Sequence, residues 1–115
     1  MLKQKTFRCP KLLTLVNSLG SQHELACVCC GRNDGTVVAA HANQGKGMGI
    51  KATDSSVMAL AYACHVGLDQ PGPGAMGKEE RREFEKEMNR RTLVALLELG
   101  YLVPVLKLTL QPLSK

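Results

Sequence analysis

At 115 residues, with 44% hydrophobic side chains and a formal charge of +5, the chain is sized for one domain with one core, and its composition is not that of a disordered protein. Two Phe, two Tyr and no Trp leave Leu, Val, Ala and Met to supply most of the buried area, so a metal staple would help such a core. The most apolar stretch, residues 92–110, is broken by Glu98, Gly100, Pro104 and Lys107 and does not read as a membrane span.

The N-terminus lacks the apolar run and small-residue cleavage site of a signal peptide, which places the protein in the cytoplasm as an expectation. Five cysteines, Cys9, Cys27, Cys29, Cys30 and Cys64, are kept reduced in that compartment, so metal binding accounts for them better than disulfides. A pI near 9.1 favours a polyanionic partner such as DNA, although a modest excess of Lys and Arg also serves solubility.

In chain order, Leu12, Leu15, Val16 and Leu19 recur at helical spacing after Pro10, which predicts a short helix over 11–19 that Gly20 ends. Cys27-Val-Cys-Cys-Gly follows, with turns at Gly31 and at Asp34-Gly35, so a knuckle and then a hairpin turn are expected. Residues 36–41 open with β-branched side chains and read as a strand delivering His41 at its far end. Residues 43–49 hold three glycines and a lysine, the mark of an irregular loop.

A second strand is expected over 57–60, then a short helix over 63–68 carrying Cys64 and His65, which Gln70-Pro-Gly-Pro-Gly terminates. From Lys78 the chain turns highly charged, with Phe84, Met88, Thr92, Ala95, Leu96 and Leu99 along one face. This predicts a long amphipathic helix stopped at Gly100, and a terminal strand over 101–110 broken at Pro104. The alternating charges of the helix read as a solvated face.

Two thiolates separated by two residues can close on one ion with Zn–S bonds of about 2.3 Å. Cys27 and Cys30 have that spacing, and Cys64 supplies a third thiol; a second Cys-x-x-Cys would need cysteine at 61, where the chain has Ala61. The candidates for the fourth ligand are Cys29, His65, His23 and water. The alternative for any of these thiols is the role of a small buried hydrophobe.

The order of knuckle, strand ending in His41, glycine-rich loop, strand, then Cys64-His65 on a helix resembles the HNH, or His-Me finger, nucleases with their ββα-metal core. It is similar above all to the small phage and prophage nucleases of the YbcO-like family. The residues that carry the likeness are Cys27, Cys30, Ala40-His41, Lys46-Gly-Met-Gly49, Ala61-x-x-Cys64-His65 and Asp69.

The resemblance implies an α+β single domain over 1–115, with a core at about 24–70 flanked by the N-terminal helix and a C-terminal helix at about 78–99. It implies hydrolysis of DNA phosphodiester bonds with Mg²⁺ or Mn²⁺, beside a structural Zn²⁺ on the cysteines. His41 would be the general base, and His65 a ligand of either the zinc or the catalytic cation. Asn43 and Asp69, with Asp54, would be positioning residues, and Lys46, Lys51 and Arg32, with Arg8, would meet phosphates.

Many HNH enzymes carry Asp or His just before the base, where this chain has Ala40. The rival expectation is therefore a zinc-knuckle module that binds nucleic acid or a protein partner without cutting.

Overall fold

The computed structural model describes residues 7–42, 53–68 and 76–103. Its first helix, α1 (Pro10–Ser21), opens on proline, which has no N–H to leave unpaired in a first turn. Leu12, Val16 and Leu19 form its buried stripe. The helix runs on past the expected stop at Gly20, because that glycine serves packing: a Cβ there would collide with the carbonyl oxygen and the Cβ of Val37. The chain leaves α1 only at residues 22–25, where His23 takes a left-handed φ of 63°.

Two four-residue strands, β1 (Val38–His41) and β2 (Val57–Leu60), pair antiparallel in the register Val38↔Leu60 to His41↔Val57. β1 begins two residues later than the β-branched run suggests. Both the N–H and the hydroxyl of Thr36 are taken by the Asp34 carboxylate, at 3.0 and 2.6 Å, and a side chain that captures the backbone in this way competes with strand pairing.

A two-stranded ribbon is marginal alone, and here side chains from the flanking elements satisfy its outer edges. Ala39 and Ala59 face one another in the ladder. The Ala39 N–H donates to Asn17 Oδ1 of α1 at 2.8 Å, and the Ala59 N–H to Thr92 Oγ1 at 2.9 Å. Asn89 donates to the carbonyls of Ser55 and Val57, and the Val28 N–H donates to the Ala59 carbonyl at 3.0 Å. With both edges occupied, the ribbon offers little backbone to another chain, and β2 is buried at every position.

The helix carrying Asn89 and Thr92 is α3 (Lys78–Glu98). Glu79 and Glu80 suit the positive end of its dipole, and Glu80 Oε1 accepts the Gly77 N–H at 3.1 Å. At the other end Gly100, at φ 85°, lets the N–H of Tyr101 reach Leu96 O and its own N–H reach Leu97 O, the paired closure that a left-handed glycine permits. Met88, Thr92 and Leu96 are buried as the spacing predicts, with Glu85 beside them, whereas Leu99 is exposed.

Between β2 and α3 lies the short helix α2 (Tyr62–Leu68), whose side chains are at most half-buried. The described residues thus form a small mixed α/β structure of three helices around an antiparallel pair, with a 3₁₀ turn at Asp54–Ser56 leading into β2. Among the described residues no helix is long and apolar enough to cross a membrane. Residues 101–103 form no strand, and the rest of the terminal segment lies outside the described residues.

Candidate functional site

The knuckle closes on itself through the Gly31 N–H donating to Cys27 O, at 2.9 Å, and the Cys27 N–H donating to Arg32 O, at 2.8 Å. Gly31 adopts a φ of 80° to allow it. The bond from Val28 to Ala59 sets this turn against the end of β2, and the chain leaving β2 reaches Cys64 within one helical turn. The sulfurs of Cys27, Cys30 and Cys64 consequently lie within 4.8 Å of one another, the single cluster of metal-binding side chains this tight among the described residues.

These three thiols fit a zinc ion. A tetrahedral ion with bonds of about 2.3 Å keeps its sulfurs about 3.8 Å apart, so only a small contraction is needed. Burial pushes the Cys27 thiol up, but N–H groups of Ala61, Cys30 and Cys29 and the Cys30 side chain outweigh it and bring it below the ordinary thiol value. Cys64 is pushed the other way, first by burial, then by bonding to Cys30 and Cys27 and by the negative charge of Cys27 and Cys29. Crowded thiols resist joint ionisation, and a cation relieves that cost.

Among the described residues no fourth side chain joins the three thiols. Ala61 is fully buried and contributes its N–H to Cys27 rather than a thiol. Cys29, which is exposed, and His65, half-buried beside Cys64 on α2, both lie outside the group of three. His23 is held elsewhere, with Nδ1 3.0 Å from the Asn33 carbonyl oxygen and its backbone carbonyl accepting from the Asn33 side-chain amide at 2.8 Å.

His41 occupies the other end of the ribbon, three rungs from the Val38↔Leu60 pair, or roughly 10 Å along the strand. Its Nε2 lies 3.0 Å from Oδ1 of Asp54, a residue whose side chain is 4% exposed. Asp54 Oδ2 accepts the Cys9 N–H at 2.6 Å, and Arg8 Nη1 stands 3.5 Å from Oδ1. The Cys9 N–H, the His41 bond and the Arg8 charge together hold the Asp54 carboxyl below the usual aspartate range, against the cost of burial.

The sequence suggests Asp54 only as a positioner of the neighbouring loop; its pairing with His41 depends on the register and is not legible before it. Cys9, outside the thiol cluster as expected, contributes its backbone to the Asp54 carboxylate.

Arg32 is exposed on the knuckle and paired with Asp34 at 3.8 Å. Lys46, Lys51, Asn43 and Asp69 lie outside the described residues. No family model matches the chain, and neither does any curated protein or solved structure.

Proposed function

We propose that the chain is an HNH-like ββα module, stapled by zinc, that hydrolyses DNA phosphodiester bonds with His41 as general base. The observation that carries this reading is the placement of His41. It stands at the exit of the first strand of a strand, strand, helix succession, its ring held by a buried carboxylate, with three clustered thiols beyond the opposite end of the ribbon.

An imidazole with one nitrogen fixed and 35% of the side chain exposed is suited to removing a proton from a water aligned on phosphorus. A divalent cation at His65 would supply charge stabilisation at the scissile phosphate. The cluster of Cys27, Cys30 and Cys64 has a structural task, tying the knuckle to the start of α2 and so fixing the ribbon that carries the base. The excess of basic side chains would draw the duplex.

The test is nicking of supercoiled plasmid in Mg²⁺ or Mn²⁺. His41→Ala is expected to lower the rate by about 10²- to 10⁴-fold with fold and zinc content retained, and His65→Ala to impair cutting in a way that added metal partly rescues. Cutting by His41→Ala at the wild-type rate would defeat the assignment.

A second reading is favoured by one observation: the residue before His41 is the buried Ala40, which offers a cation no ligand. The module would then bind nucleic acid without cutting it, and salt-sensitive binding by a wild type that never nicks would decide for it.

A further inference from the structure

We infer that Asp54 is a positioning residue that fixes His41 as its Nε2–H tautomer and leaves Nδ1 as the nitrogen with a free lone pair. The inference begins with the two oxygens of Asp54, each of which has a separate partner. Oδ2 takes the Cys9 N–H at 2.6 Å, while Oδ1 faces His41 Nε2 at 3.0 Å with Arg8 Nη1 farther off at 3.5 Å.

With its side chain 4% exposed, Asp54 has scant access to water that could stand in for either partner. Its carboxyl is held in the ionised form by the surrounding donors, and an ionised carboxylate can only accept. Nε2 must therefore donate. A neutral imidazole carries one N–H, so its lone pair is on Nδ1.

The backbone gives Asp54 no room to turn away. Its N–H donates to the Phe7 carbonyl at 3.0 Å, Thr53 Oγ1 donates to the same carbonyl at 3.2 Å, and Ser56 Oγ donates to Thr53 O at 2.6 Å. The segment at 7–9 is in turn held by the start of α1. His41 is anchored independently by its place opposite Val57, so both partners of the bond are set by elements rather than by each other. The inference deepens the nuclease reading, which assigns His41 the proton to be moved, but the tautomer itself is measurable without any cleavage.

Ring-nitrogen NMR of uniformly ¹⁵N-labelled protein, with His41→Gln used to identify the His41 signals among three histidines, reads the tautomer directly. In the neutral ring the wild type is expected to show a protonated Nε2 and an unprotonated Nδ1. A protonated Nδ1, or a mixture of tautomers as in a free imidazole, overturns the inference without recourse to any variant.

Asp54→Asn adds a second reading. The Cys9 N–H still requires an oxygen, so the amide turns its oxygen there and its NH₂ toward Nε2, which must then accept. The expected result is an inverted pattern, Nδ1–H with Nε2 bare, in a protein that keeps its zinc; an unchanged pattern overturns the role of Asp54. Cleavage should fall on the order of 10⁴-fold in that variant, as with a base held in the wrong tautomer. A wild type with the expected tautomer and no cleavage supports the role of Asp54 and overturns the nuclease reading alone.

Discussion

Replacing Thr92 by Val tests the way α3 completes the sheet. Thr92 is fully buried; its hydroxyl donates to Met88 O at 2.8 Å and accepts the Ala59 N–H at 2.9 Å. Valine keeps the shape and removes the acceptor. Ala59 is itself fully buried, so its N–H would be left with neither strand, side chain nor water.

An orphaned buried donor costs about 1 to 3 kcal/mol, and the added methyl offsets only part of that. In a domain of this size the melting temperature should fall by on the order of 5 to 10 °C, with the urea midpoint lowered and the slope unchanged. Thr92→Ser, which keeps the hydroxyl and loses a methyl, should cost about 1 kcal/mol. Exchange of the Ala59 amide separates the two variants, since it should accelerate selectively in Thr92→Val. A Thr92→Val protein that melts with the wild type and protects that amide would refute this account of the β2 edge.

Helix propensity alone would make Gly20→Ala stabilising by about 1 kcal/mol. The close approach to the Val37 backbone predicts instead a net loss of roughly 1 to 3 kcal/mol, and a gain in chemical denaturation would contradict it. Purified protein should hold about one equivalent of zinc, and chelation or Cys27→Ser should lower the melt sharply, because structural zinc contributes on the order of 10 kcal/mol; Cys9→Ser should retain the metal. Metal-free protein with an unaltered melt would dismiss the staple.

Acid should act through Asp54. Its folded value lies below the ordinary 3.8, so the stability it contributes is complete above that pH and is lost as pH falls through the folded value. A melting profile measured downward from pH 4 should therefore be flatter in Asp54→Asn than in wild type, and parallel profiles would argue against it.

What depends on neighbours in sequence was legible from the sequence alone. The second strand at 57–60, the helices near 62–68 and 78–98, and the stop at Gly100 rest on periodicity, capping and glycine's access to positive φ, all properties of a few adjacent residues. So does the pairing of Cys27 with Cys30, since a two-residue spacing by itself brings two thiols within reach of one ion.

Tertiary structure decided the rest. Gly20 looks like a helix stop until Val37 is seen against it; Thr36 leaves the strand because Asp34 captures its backbone; Asn17, Asn89 and Thr92 look like ordinary helix polar residues until the ribbon edges meet them. Cys64 joins the knuckle only because Val28 bonds to Ala59 at the end of β2. The partner of His41 is likewise a matter of register. Asp54 lies thirteen residues away along the chain, and only the antiparallel pairing of His41 with Val57 brings its carboxylate to the ring. Such contacts join residues whose separation in sequence carries no spacing rule, and packing alone brings them together.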